Sequence, residues 1–181
     1  MRISVVGCAG SGKTTMATAI AHTLGIPRLE LDSWYHQANW SPLPSEEFRA
    51  RVSAYCRQPG WVVDGNYSSQ GVLDIVWSAA DAVVWLDPPK SVVMVRVIRR
   101  SLARGLYGTV VWNGNREQLR RLLRINPQQN IVLWAATRFE HVRAAYTARA
   151  SDPTWSRLAF HRLRSARECR MFLATLRSGS P

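Results

Sequence analysis

The stretch "GCAGSGKT", Gly7 to Thr14, constrains this chain more than any other. It satisfies G-x-x-x-x-G-K-[ST] at every fixed position, with the apolar run "ISVV" before it and a helical pattern after it. Gly7, Gly10 and Gly12 let the backbone turn and expose successive N–H groups. The helix beginning near Lys13 aims its positive end at the same point. Lys13 adds a full charge for outer phosphates, and the Thr14 hydroxyl is placed to ligate Mg²⁺. The expected binding segment is Gly7, Ala9, Gly10, Ser11, Gly12, Lys13, Thr14 and Thr15, and the expected ligand is ATP with Mg²⁺.

Periodicity supplies the frame. "ISVVG", "PRLELD", "WVVDG", "DAVVWLD" and "SRLAFHRL" read as strands, the first of them apolar on both faces. Helical patterns lie between them: 13–25, 45–60 with Ser45 as N-cap, 90–105, and one covering "QQNIVLWAATRFEHVRAAY". "SARECRMFLATLR" closes the chain as a helix. Strands alternating with helices predict a three-layer α/β domain, a parallel sheet with helices on both faces. The 181 residues suit one domain. Residues 106–127, rich in Gly, Asn and Arg, interrupt the pattern and read as a lid.

Charge is uneven. Residues 1–90 carry seven Lys or Arg and eight Asp or Glu, and residues 91–181 carry seventeen Arg and four acids. The whole excess behind the net +12 therefore sits in the second half, which is expected to attract an anion. No apolar run reaches the roughly 18 residues of a membrane span, and the N-terminal apolar run is too short for a signal peptide. The expectation is a cytoplasmic protein without a membrane partner, monomeric or homodimeric. Cys8, Cys56 and Cys169 lack metal-like spacing and read as reduced thiols.

Size argues against motors and helicases. The chain has two lysines, Lys13 and Lys90, and neither sits in the N-K-x-D motif of a GTPase. A small phosphotransferase remains. Asp87 ends the fourth strand beside the glycine-rich loop and is expected to hold Mg²⁺ together with Thr14. Asp32 ends the second strand and is placed to take a proton from a substrate hydroxyl. Arg96 and Arg100, four apart on one helix, are expected to clamp the transferring phosphoryl group. Arg138 and Arg143 are candidates of the same type on the helix returning from the lid. Asp64, Asn66 and Tyr67 of "DGNY", and Trp34 in the aromatic loop after Asp32, are expected to face the acceptor. His36 and Trp40 lie in that same loop.

Taken in order, "GCAGSGKTT", "LELDSWYHQANW", "WVVDGNY", "ADAVVWLDPP", "RVIRR" and "WNGNRE" resemble the adenylate-kinase-like P-loop proteins called DNA topology modulation proteins, over residues 3–175. The resemblance implies the nucleoside monophosphate kinase fold: a five-stranded parallel sheet of order 2-3-1-4-5, with a short lid after the fourth strand's helix. Arg96 and Arg100 match two arginines that bind nucleotide in adenylate kinases. The Thr and Arg of the acceptor segment in those enzymes are replaced here by "SWYHQANW", and the lid carries no cysteine quartet. The leading expectation is an ATP-dependent phosphotransferase, nucleotide- or nucleoside-kinase-like, that moves the γ-phosphoryl group of Mg-ATP to a small acceptor. Its rivals are a nucleotide-dependent nucleic-acid-binding regulator and a kinase of a non-nucleotide hydroxyl. No DNA-reading module is visible, so a nucleic-acid partner ranks behind.

Overall fold

The structure, a computed structural model, describes residues 1–116 and 130–179. Five strands form one sheet: β1 (Arg2–Gly7), β2 (Arg28–Glu30), β3 (Trp61–Asp64), β4 (Ala82–Leu86) and β5 (Ala159–Leu163). Every pairing is parallel and the order is β2-β3-β1-β4-β5. β1 is central, with Ile3 paired to Val62 on one side and to Ala82 on the other. The chain crosses from the β3 side to the β4 side over β1, so the crevice for a ligand lies at the strands' carboxyl ends beside it.

Both sheet faces are dry, and side-chain alternation shows why. Ile3, Val5, Val62, Ala82 and Val84 point to one face and pack on Met16, Ala17 and Ile20 of α1 (Lys13–Leu24) and Phe172 of α7 (Ala166–Arg177). Val6, Trp61, Val63, Val83 and Trp85 point to the other. There they meet Phe48 and Val52 of α3 (Ser45–Tyr55) and Leu73, Val76 and Trp77 of α4 (Val72–Ala79). A third cluster joins Val93 and Val97 of α5 (Lys90–Leu106) to Ala135 and Phe139 of α6 (Ile131–Ala150), with Cys8 of the glycine-rich loop between them.

Local signals explain most boundaries. Gly25 ends α1 in the left-handed conformation. The Asn130 side chain accepts hydrogen bonds from the amides of Val132 and Leu133 to start α6. Ser165 accepts from the Glu168 amide while Glu168 reaches back to the Arg164 amide, a reciprocal cap on α7. Three boundaries differ from the sequence reading. β2 ends at Glu30, and Leu31–Tyr35 forms a short helix, α2, because Leu31 turns fully into the core. Asp32 therefore lies in a helical first turn rather than at a strand end. Pro44, not Ser45, occupies the N-cap of α3, and no side chain caps it. α4 has no counterpart in the sequence reading, since its eight residues are too short to show a helical period clearly.

Of the expected lid, residues 106–116 are described and 117–127 lie outside the described residues. Among the described residues no helix is long and apolar enough to cross a membrane.

Trp77 is fully buried, stands edge-on to Trp155 and Phe160, and donates its indole N–H to the Ser4 hydroxyl. Trp77→Ala is expected to cost about 3–5 kcal/mol, the usual range for emptying an aromatic core position, measured by urea denaturation.

Candidate functional site: a phosphate loop in a two-sided cleft

The glycine-rich loop wedges between β4 and α5, and two close approaches fix it. A Cβ on Gly7 would sit 2.4 Å from the Leu86 carbonyl oxygen. A Cβ on Gly10 would sit 2.4 Å from Val97 Cγ2 and 3.0 Å from the Val93 carbonyl. Both glycines also have positive φ, +145° and +81°, which side chains rarely adopt. The Ser11 amide donates to Cys8 O at 3.1 Å and so closes the turn. Lys13 Nζ donates to the same carbonyl at 3.1 Å.

The loop opens into a cleft of about 1520 Å³. Ala9, Gly10, Gly12, Lys13, Thr14 and Thr15 line its floor. Arg96, Arg100 and Arg104, one turn apart on α5, line one wall. Arg96 Nη1 donates to Ser11 O at 3.1 Å, which places a guanidinium directly on the loop. Arg104 extends the stripe by one further turn, which the spacing of Arg96 and Arg100 already implied. Arg138, from α6, also lines the cleft.

The opposite wall is acidic: Glu30, Asp32 and Asp64. Asp64 is 3% exposed, and burial raises its carboxyl above the ordinary value, while the Lys13 ammonium and the Thr14 hydroxyl pull the other way. Its Oδ2 has no hydrogen-bond partner among the described residues and lies 3.8 Å from Arg28 Nη1. Tyr67 donates its hydroxyl to Asp32 Oδ1 at 2.6 Å, and burial first, the Asp32 charge second, keeps that phenol protonated. Asn66 also lines the cleft, but its amide is committed to the Gly7 peptide and to Tyr146.

Two tight loops meet across the cleft mouth. Residues 36–42 and 110–116 each close with an antiparallel bridge and each hold an asparagine, Asn39 and Asn113, in left-handed geometry. Asn113 Nδ2 donates to the carbonyls of Ser33 (3.0 Å) and His36 (2.6 Å). Asn115 donates to Gln37 O and accepts from the Trp40 amide, both at 2.8 Å. His36 stacks on Trp112 at 5.7 Å between centroids. Burial lowers the His36 imidazole below its ordinary value, against the pull of Asp32. "WNGN" is thus an interlocking element, a role its sequence does not announce.

Three expected site residues lie elsewhere. Asp87, expected to hold the metal, is absent from the cleft lining and sits between two arginines. Its Oδ1 accepts from Arg143 Nε at 2.9 Å, and its Oδ2 from Arg162 Nε at 2.9 Å and Nη2 at 2.6 Å. Arg143 is spent on that pair instead of facing an acceptor. Trp34 packs edge-on against Tyr55 and joins the core. The basic second half is partly consumed the same way. Arg149 pairs with Asp74 at 2.7 Å, and Arg157 caps the end of α4 through the carbonyls of Trp77, Ser78 and Ala80.

Fold and sequence together place a glycine-rich loop of the G-x-x-x-x-G-K-[ST] pattern at the carboxyl end of the central strand of a five-stranded parallel sheet, the fold of P-loop kinases. Among solved structures the chain is similar to shikimate kinase from Acinetobacter baumannii in complex with shikimate, at 17% identity and TM-score 0.56 over 97% of this chain and 89% of that one. It is similar to a gluconokinase from Sinorhizobium meliloti at 21% identity and TM-score 0.52, over 98% and 94%. Shikimate kinase from Aquifex aeolicus gives 15% identity and TM-score 0.55, over 99% and 98%. No protein-family model matches the sequence, and no curated protein matches it.

Two substitutions separate these placements. Gly10→Ala combines overpacking against α5 with a strained backbone, so stability is expected to fall by about 1–3 kcal/mol. Mg-ADP affinity measured by calorimetry falls at least tenfold in the same variant. Asp87→Asn strands two half-covered guanidiniums and is expected to lower stability by about 3 kcal/mol, toward the low end for breaking such a pair. Mg-ADP affinity is retained in Asp87→Asn; a selective loss of metal dependence would return Asp87 to the metal site.

Proposed function

We propose that this protein is an ATP-dependent phosphotransferase that moves the γ-phosphoryl group of Mg-ATP to a hydroxyl on a small acceptor. One observation carries the reading: the phosphate loop, an arginine wall and an acidic wall converge on a single cleft. The resemblance to adenylate-kinase-like proteins and the fold shared with small-molecule kinases support it.

Loop amides and Lys13 hold the triphosphate. Thr14 and Asp64 are the residues that fit Mg²⁺, since the buried Asp64 Oδ2, which has no hydrogen-bond partner among the described residues, is a hard oxygen ligand beside a hydroxyl. When bound, the cation neutralises charge on the phosphates. Arg96 and Arg100 stabilise the phosphoryl group in transfer. Asp32, held by Tyr67, takes the acceptor's proton as the acceptor oxygen bonds to the γ-phosphorus. The bond from that phosphorus to the β–γ bridging oxygen breaks, and ADP leaves. Asp32 favours a neutral or amine-bearing alcohol over a nucleoside monophosphate, because a carboxylate there would repel an anionic acceptor, whereas Glu30 and Asp64 are offset by Arg28 at 3.4 Å and 3.8 Å. In this reading residues 1–181 act as one cytoplasmic kinase domain with 106–127 as its lid.

The test is a phosphotransfer screen with Mg-ATP against sugars and other small alcohols, nucleosides and nucleoside monophosphates, in wild type and Asp32→Asn. A hydroxyl acceptor is expected to turn over, and Asp32→Asn to slow it by about 10²- to 10⁴-fold, the usual worth of a general base, with Mg-ATP affinity intact. Turnover confined to monophosphates and indifferent to Asp32→Asn would refute the acceptor class. A nucleic-acid regulator would instead show DNA binding that falls steeply with salt.

A further inference from the structure

Asn66 was expected to face an acceptor; it does line the cleft, and its amide also makes three hydrogen bonds to the protein. Nδ2 donates to Gly7 O at 2.8 Å, and Oδ1 accepts the Gly7 amide at 3.3 Å. One side chain thus grips both polar atoms of the first residue of the phosphate loop. Oδ1 also accepts from Tyr146 Oη at 2.9 Å. The Gly7 peptide fixes which way the amide faces, because its N–H can only donate and its carbonyl can only accept; the Tyr146 hydroxyl, which can do either, then donates to Oδ1. Tyr146 is 5% exposed, and burial raises its phenol so that it remains a donor.

Tyr146 belongs to α6, which follows the expected lid segment and brings Arg138 and His141 to the cleft. The same helix supplies Arg143 to Asp87, just beyond β4. Gly7 lies between these two attachments. Leu86, paired with Gly7 in the sheet, flanks it on the β4 side, and Asn66 flanks it on the β3 side. α6 thus reaches the first peptide of the loop through Tyr146 and Asn66. Loop amides hold an anion only when their N–H groups converge, so the orientation of the Gly7 peptide sets how well the loop receives phosphate.

We infer that Asn66 and Tyr146 are positioning residues, a latch that holds the phosphate loop in its anion-binding shape and registers it to α6. Neither needs to touch the nucleotide. The latch rests on the proposed nucleotide site, and the test keeps the two apart.

The experiment is calorimetric titration of Mg-ADP into wild type, Asn66→Ala, Tyr146→Phe and the double variant, each well below its melting temperature. Wild type is expected to bind. Asn66→Ala should weaken Mg-ADP by at least tenfold, about the loss of one to two hydrogen bonds that fix the loop. Tyr146→Phe, a change of one oxygen that spares the fold, should weaken it about threefold, in proportion to one lost bond. The double variant should be no weaker than Asn66→Ala alone, because Tyr146 acts through Asn66. A merely structural pair would lower the melting temperature and leave Mg-ADP affinity within twofold, and that result overturns the latch. Additive losses in the double variant would also overturn it. Absence of Mg-ADP binding by wild type would sink the nucleotide site itself, a different outcome from wild-type binding that the variants share unchanged.

Discussion

The site depends on backbone approaching backbone. The loop can enter between β4 and α5 because Gly7 and Gly10 carry no side chain: a single methyl at either position would overlap Leu86 O or Val97. That intimacy has two effects. It brings the N-terminus of α1, with its unpaired amides, to the carboxyl edge of the sheet. It also brings α5 close enough for Arg96 to hydrogen-bond the loop. The glycines therefore set the position of the arginines as well as the shape of the cradle.

The charges fall into two groups. Arg96, Arg100 and Arg104 face the cleft from one helix, opposite Glu30, Asp32 and Asp64. This opposition keeps cationic groups where phosphate charge would lie and carboxylates where a proton would be removed. Arg143, Arg157 and Arg162 are consumed internally, by Asp87 and by the last carbonyls of α4, while Arg149 lines the cleft and pairs with Asp74. The Asp87 cluster ties the end of β4 to α6 and β5, on the far side of the loop from Asn66.

Much of the fold was legible. Alternating apolar strands and helical spacings fixed the parallel sheet, and the resemblance supplied its order. The turn of the glycine-rich loop was legible, because its pattern encodes backbone geometry directly, although Gly7 and Ser11 lie outside the cleft lining. Arg96 and Arg100 were legible because helical spacing decides which face they share. Asp87 was misread because sequence position at a strand's carboxyl end does not show which partners arrive from α6 and β5, distant in the chain. Trp34 was misread for a related reason: an aromatic residue near a site has no visible sign of being spent on the core. The interlock of Asn113 and Asn115 with residues 33–40 depends on two left-handed turns meeting, which no local pattern records.

The cradle, its bracing and the two walls all presuppose a polyphosphate seated on the loop amides. A crystal structure with Mg²⁺ and a non-hydrolysable ATP analogue tests this most directly. The account predicts the β-phosphate within hydrogen-bonding distance of the amides from Gly10 to Thr14, Lys13 Nζ moved from the Cys8 carbonyl to phosphate oxygen, and the cation between Thr14 and Asp64. A nucleotide bound elsewhere, or no bound nucleotide with Lys13 still on Cys8, would contradict it.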